Sequence, residues 1–284
     1  MQLVVMLSHA WHGGPLVEVL SAQGKQPEGA FKKTGAVRKV FDKSVKGYVL
    51  ELEGGRDAKV QLPAADKETL GLLQPYLVLQ VLVPPGKGFA IELAILDKSK
   101  TRRRLHLSCN CQDIQATPLH VRAPLHLVRR GVWLNLCIDV AGIFQEAFTP
   151  VTRIADFWSI ESIVLTAACK VRRIFTVRQP LRDTSPDGDD FPELEVESWL
   201  HDVEELPRSV DYPAGIENWT QVLHMAKIRH VLMLDAQLKV AGDSAVRAAS
   251  PRRGGAGAGA GSAAQVLNDG ELSRKSGLRI AECR

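Results

Sequence analysis

Between Pro15 and Phe175, apolar and polar positions alternate with a period of two along successive short runs. In Gly47-Tyr48-Val49-Leu50-Glu51-Leu52-Glu53, the residues Tyr48, Leu50 and Leu52 fall on one side and both glutamates on the other. That is the pattern of a half-buried strand, closed here by Gly54-Gly55. Tyr76 to Val83 is almost wholly apolar and predicts a central strand covered on both faces. Pro84-Pro85-Gly86-Lys87-Gly88 forces a turn, after which Phe89, Ile91, Leu93 and Ile95 alternate, so a hairpin is expected. Leu105/Leu107, Leu119/Val121 and Leu125/Leu127 continue the pattern, and Val132 to Val140 alternates again. Many short strands with little helix between them predict a mainly β chain, an antiparallel β-sandwich or jelly-roll-like domain with short helices.

Two helical interruptions are expected in this region: Asp66 to Leu70, following Pro63, and Ala141 to Phe148. A longer amphipathic helix is predicted from Trp219 to about Lys239, with Asn218 at its N-cap position. Trp219, Val222, Leu223, Ala226 and Met233 form one stripe of it, and Met225, Ile228 and Leu232 a second. A helix this apolar is expected to dock on its own domain or on a partner. After Ser250-Pro251-Arg252-Arg253 comes a Gly/Ala run that cannot offset its ordering entropy, which predicts a disordered tail. The expected organisation is therefore an atypical N-terminus at 1–12, a sandwich domain at 13–182 and an acidic linker at 183–217. An amphipathic helix at 218–240 and a disordered tail at 241–284 follow.

Composition narrows the class. Apolar residues make up 45% and charged residues 24% of 284, enough for a core without disulfides or metals. No apolar run reaches the roughly 18 residues of a membrane helix, and no membrane partner is expected. Met1 to Trp11 lacks a basic start and a small-residue cleavage site, so secretion is not expected either. Five scattered cysteines suit reduced thiols and a cytoplasmic setting.

The net charge of +4 conceals a strong asymmetry. Residues 1–182 carry 25 Lys and Arg against 15 Asp and Glu, a net of +10. Residues 183–217 carry 12 acids and only Arg208, a net of −11, and residues 218–284 carry 10 bases and 5 acids. A basic body attracts acidic surfaces, whether nucleic acid, an anionic lipid face or the tubulin lattice. The acidic stretch is either a solvated linker or a strap that screens the basic body.

Candidate chemistry is sparse. Cys109-Asn110-Cys111 with His106 nearby is the best metal candidate, but His106 points to the other face of a strand, and a second ligand pair is missing. Two buried thiols beside a turn is the better reading. No nucleophile elbow, dinucleotide fingerprint or phosphate-binding loop occurs, and neither an enzyme, a cofactor nor a small-molecule substrate is expected. The sequon Asn218-Trp219-Thr220 reads as a helix start.

The basic clusters say more. Lys98 to Arg104 begins at a turn and enters a strand, where Arg102 and Arg104 share one face and Arg103 shares the face of Leu105 and Leu107. Arg129-Arg130-Gly131 marks another turn. Lys170-Val171-Arg172-Arg173 breaks alternation, which predicts a bulge or an edge strand. Arginine binds carboxylates and phosphates bidentately, so Arg102, Arg103, Arg104, Arg129, Arg130, Lys170, Arg172 and Arg173 are the candidate contacts for an acidic partner. The same charges on edge strands also serve simply to block aggregation.

Several of these residues carry a resemblance. Leu50-Glu51-Leu52-Glu53-Gly54, Val60-Gln61-Leu62-Pro63, Leu70-Gly71-Leu72 and Tyr76-Leu77-Val78-Leu79 stand in the order found in the cilia- and flagella-associated protein 20 family. Arg102-Arg103-Arg104-Leu105, Trp133-Leu134-Asn135-Leu136 and Cys169 to Phe175 continue the series. The match runs from about Gly13 to Ile228, and no single motif in it is diagnostic. The resemblance implies an antiparallel β-sandwich working as a structural part of the ciliary axoneme, on microtubule walls. It thereby implies tubulin and neighbouring axonemal proteins as partners, and a cytoskeletal location in the cilium or flagellum. A nucleic-acid-binding module using the same arginines is the alternative. It is disfavoured because aromatics, 6% of the chain, are not interleaved with the basic clusters. Three stretches depart from the family pattern: Met1 to His12, an insertion from Thr149 to Trp158, and the acidic stretch with the tail.

Overall fold

The computed structural model describes residues 14–23, 31–152, 156–186 and 203–249, with side chains as far as residue 241. Among these the strands are β1 (Leu16–Ser21), β2 (Lys32–Thr34), β3 (Val37–Asp42), β4 (Gly47–Leu52), β5 (Lys59–Leu62), β6 (Tyr76–Leu82) and β7 (Ala90–Asp97). They continue with β8 (Arg102–Ser108), β9 (Gln115–Ala116), β10 (His120–Pro124), β11 (Trp133–Asp139), β12 (Phe157–Thr166), β13 (Cys169–Val177) and β14 (Asn218–Leu223). The helices are α1 (Val140–Phe148) and α2 (Met225–Ala249). One seven-stranded sheet runs β14-β11-β6-β13-β4-β3, with β1 also on β13; the other runs β2-β5-β12-β7-β8-β10-β9. Pairing is antiparallel except for β8 with β10 and β11 with β14, which are parallel.

Leu77, Leu79 and Val81 of β6 and Leu134, Leu136 and Ile138 of β11 meet Ile91, Leu93 and Ile95 of β7 and Leu105 and Leu107 of β8 in one core. This is the expected sandwich. The opposite face of the first sheet is apolar too. Val78, Cys137, Phe175 and Val177 lie under Leu181 and Val210, and Val49 and Trp133 lie under Tyr212. That second layer explains why β6 is hydrophobic on both sides. The α1 helix follows β11 directly, with Asp139 accepting from the Gly142 amide at 2.8 Å as its N-cap. Phe144 and Phe148 point from it into the core, their rings 4.8 Å apart.

Several expectations change. The run at Pro84 to Gly88 does not close a hairpin; it carries the chain from β6 in one sheet to β7 in the other. β6 is already flanked by β11 and β13, so no place beside it is left for β7. Asp66 to Leu70 is a turn rather than a helix. Five residues cannot nucleate a helix alone, and this segment instead bonds along β12, with the Leu70 amide on the Glu161 carbonyl and Leu72 bridged to Ile160. The β13 strand is central, not an edge, but the broken alternation does mark a bulge between Val171 and Arg173. Tyr48 shares the side of Leu50 and Leu52 but is 47% exposed, because it sits next to the hairpin end, beyond the core.

The largest correction is at the C-terminal end. Asn218 is not an N-cap: residues 218–223 form β14, pairing Trp219 with Leu134 and Val222 with Cys137. The apolar positions in Asn-Trp-Thr-Gln-Val-Leu fit a strand as well as a helix, and the open edge of β11 decides between them. The α2 helix begins only at Met225, where His224 Nδ1 accepts from the Lys227 amide at 3.4 Å. Burial pushes the His224 imidazole down to about 4, so it is neutral and able to accept that bond near pH 7. Residues 241–249, expected to be disordered, continue the helix; 250–284 lie outside the described residues. So do the whole of the atypical N-terminus, residues 1–12, and residues 187–202 of the acidic stretch.

Both described ends of that stretch are anchored rather than solvated. Asp183 Oδ2 accepts from the Val222 amide at 3.0 Å and from Lys227 Nζ at 2.5 Å. Thr184 takes the Thr220 amide at 2.9 Å, which closes the edge of β14. Residues 206–216 lie across the first sheet: Gln80 donates to the Val210 carbonyl at 2.7 Å, and Tyr212 Oη donates to the Leu134 carbonyl at 3.0 Å. Replacing Tyr212 by phenylalanine should cost about 1 kcal/mol, and by alanine about 3–5 kcal/mol, both read from urea denaturation.

Burial pushes the Asp183 carboxyl up, but the Lys227 ammonium and the Ser185 and Val222 bonds outweigh it and hold it below the usual 3.8. A carboxyl depressed in the folded state stabilises above its unfolded value and loses that contribution as pH falls through its folded value. The β14–α2 junction should therefore loosen below about pH 4. Unfolding free energies measured from pH 7 to 3 should show the loss, and Asp183→Asn should flatten it.

Candidate functional site

The exposed face of the second sheet holds a groove of about 430 Å³. Its floor is small, with Ala94 on β7 and Ser162 and Val164 on β12. Asp66 and Glu68, in the turn after β5, stand on one side. Arg102 and Arg104 on β8 and Leu119 and His120 at the start of β10 stand on the other, and Glu92 lies between.

Strand alternation builds the basic side. Arg102, Arg104 and His106 occupy every second position of β8 and so project from one face, while Leu105 and Leu107 enter the core. Parallel pairing then sets His120 beside Arg104 and Arg122 beside His106. Arg102, Arg104, His120 and Arg122 are exposed, and His106 is half-buried. Alternate residues of a strand lie about 6.6–6.8 Å apart and neighbouring strands about 4.8 Å, so these five form a ladder on a rigid backbone. Glu92 tempers it, 3.9 Å from Arg104 and 3.8 Å from His106. Burial holds the His106 imidazole below its usual value, with Glu92 pulling it up and Arg122 pushing it down. The groove can thus take carboxylates along one side and cationic or donor groups along the other.

The eight basic candidates do not converge. Only Arg102 and Arg104 line the groove. Arg103, 7% exposed, turns inward as its neighbours in sequence required. It bonds Asp97 Oδ2 at 3.0 and 2.9 Å, donates to the Pro118 carbonyl, and lies 5.5 Å from the Phe148 ring centre. Arg130 holds a turn through the Lys87 carbonyl at 2.6 Å and Cys109 Sγ at 2.7 Å, and the Arg129 amide bonds Gln221. Lys170, Arg172 and Arg173 belong to the other sheet. Lys170 pairs with Asp42 at 2.8 Å and Glu51 at 3.5 Å, and Arg173 with Glu18 at 2.6 Å. Arg172, 6% exposed, lies under the 206–216 segment, bonded to Gln80 at 2.5 Å and the Val210 carbonyl at 3.1 Å. A buried guanidinium held this way cannot meet a surface partner.

The partner-helix set divides as well: Trp219, Val222 and Leu223 are on β14, and only Ala226 and Met233 are on α2. Cys109 and Cys111 are both buried, and among the described residues no group of three His, Cys, Asp or Glu side chains could hold a metal ion. The sequence reasoning missed Arg122, His120 and the acidic side of the groove. The alternation of Leu119 with Val121 put Arg122 on the outward face, but nothing linear pairs β10 with β8 in parallel.

The sequence matches the CFA20 domain over residues 6–189, a span that begins inside the stretch set apart at the N-terminus and ends before residues 203–249. Cilia- and flagella-associated protein 20 of Chlamydomonas reinhardtii is 24% identical over 175 residues, covering 60% of this chain and 87% of that protein. The Paramecium tetraurelia protein of the same name is 25% identical over 145 residues, 50% of this chain and 72% of that protein. The domain match extends over well more than half of the residues, and on that ground the chain belongs to the CFA20-domain family.

Proposed function

We propose that this chain is a non-enzymatic structural or adaptor protein of the cilium or flagellum that binds axonemal microtubules through the exposed face of its second sheet. The ciliary setting rests on the names of its relatives. The observation that carries the binding face is the ladder of Arg102, Arg104, His120 and Arg122 on adjacent strands. Positive groups fixed on a sheet meet an acidic lattice without reordering, so their attraction contributes to steering and to many weak contacts. Repetition along the lattice multiplies modest single-site affinity. Arg103 and Arg172 leave the list of contacts, and Lys170 and Arg173, each already paired with a carboxylate, contribute less. The nucleic-acid reading gains little from this surface, since none of the groove's lining residues is a Phe, Tyr or Trp, and the imidazole of His120 is its single ring.

Co-sedimentation of the full chain with taxol-stabilised microtubules across a salt series tests the reading. Binding that weakens steadily as salt rises is expected. A protein that stays in the supernatant even at low salt would refute it.

A further inference from the structure

We propose that the free end of the β3–β4 hairpin is a second contact surface, one that meets an anionic lipid face. It is independent of the groove. β3 ends the first sheet and β2 ends the second. Only Gly35 and Ala36 join them, so both strands lie on one rim of the sandwich. From Phe31 to Tyr48 the sequence carries Lys32, Lys33, Arg38, Lys39, Lys43 and Lys46 against the single acid Asp42, a net of +5. Arg38 is paired across the hairpin with Glu53 at 2.5 Å and Glu51 at 3.6 Å, so the five lysines carry the outward charge of the rim. Asp42 is taken up internally by Lys170 at 2.8 Å and Ser44 at 2.5 Å, so it does little to cancel the charge outside.

Charge alone would be ordinary protection of a sheet edge. The aromatic side chains argue for more. Phe41 and Tyr48 face each other across the hairpin next to its turn, edge to face with ring centres 5.6 Å apart. They are 58% and 47% exposed, among the most exposed large apolar side chains of the described residues. The Lys39 ammonium lies 5.1 Å from the Tyr48 ring centre, and Lys43 and Lys46 are exposed in the turn itself. An edge designed only to repel other strands has no use for two exposed rings.

A projecting end with two rings among lysines suits the headgroup layer. Phenylalanine and tyrosine enter its apolar margin, and tyrosine keeps its hydroxyl in water. Lysines on flexible stems meet diffuse anionic headgroups without needing fixed partners, whereas the arginine pair of the groove suits placed carboxylates. No described helix is long and apolar enough to cross a membrane. An anionic lipid face is among the acidic surfaces that the charge of the basic body suits, although the lack of an apolar span gave no reason to expect a membrane partner.

The test is flotation of the full chain with vesicles of phosphatidylcholine alone or with 30% phosphatidylserine. Preferential binding to the anionic vesicles is expected. Lys43→Glu with Lys46→Asn should weaken it at least about tenfold; asparagine is chosen because Lys46 has a φ of 48°. Phe41→Ser with Tyr48→Ser should weaken it several-fold, while Arg102→Glu with Arg104→Glu leaves most of it intact. Thermal melts confirm that each variant folds. Three results would overturn the proposal: no preference for anionic vesicles, loss only in the groove variant, or hairpin variants that lose microtubule binding instead of vesicle binding.

Discussion

Arg103→Ala should destabilise the fold by about 3–5 kcal/mol, while Arg104→Ala, one residue away, should change it by no more than about 0.5 kcal/mol. The contrast follows from the pleat of β8. Arg103 is buried with Asp97, which is wholly inaccessible and also accepts from the Thr101 amide at 2.8 Å. Removing the guanidinium leaves that carboxylate buried and short of its partner, and the lost cation also packs against Phe148. Arg104 stands in solvent, 3.9 Å from a partly exposed Glu92, and exposed pairs of this kind contribute little. Urea denaturation of both variants checks the difference. Equal losses would mean that the strand does not hold the two side chains on opposite faces.

The second large effect is on binding. Arg102→Glu with Arg104→Glu reverses two of the exposed charges of the groove and places five carboxylates, with Asp66, Glu68 and Glu92, around a surface meant for an acidic partner. Microtubule binding should fall by at least about a hundredfold at low salt, since like-charge contacts across an interface cost several kcal/mol. Because both side chains point into solvent, the variant should melt close to the parent. The pairing of results matters: Arg103→Ala should lose stability and, where still folded, keep its affinity, and the double reversal should do the opposite. A double variant that remains folded and binds unchanged would remove the groove from the account.

How far the sequence carried depended on whether a feature was local. The strands were legible because period-two alternation survives wherever one face is buried. The turn of Arg103 toward Leu105 and Leu107, and the sharing of a face by Arg102 and Arg104, follow from the same alternation. What was not legible was the partner of each strand. Tyr76 to Val83 and Phe89 to Ile95 read as a hairpin because they are adjacent, yet they lie in different sheets. Lys170 and Arg172 looked equivalent to Arg102 and Arg104 for the same reason: linear pattern does not say which sheet a strand joins. The C-terminal error has a different origin. Trp219, Val222 and Leu223 fit a helical stripe, and only the unfilled edge of β11 makes them a strand. The segment after Val203 could not be foreseen as a cover, since its few apolar residues, Leu206, Val210, Tyr212 and Ile216, are diluted among acids and prolines and gain their role only from the apolar face beneath.

The central claim is that a rigid basic face engages the microtubule wall. The most direct measurement is co-sedimentation of the full chain with taxol-stabilised microtubules before and after subtilisin removes the glutamate-rich tubulin tails. The account predicts saturable binding that persists on the trimmed lattice and is lost in the Arg102→Glu, Arg104→Glu variant. Binding that disappears with the tails, or that the variant retains in full, would contradict it.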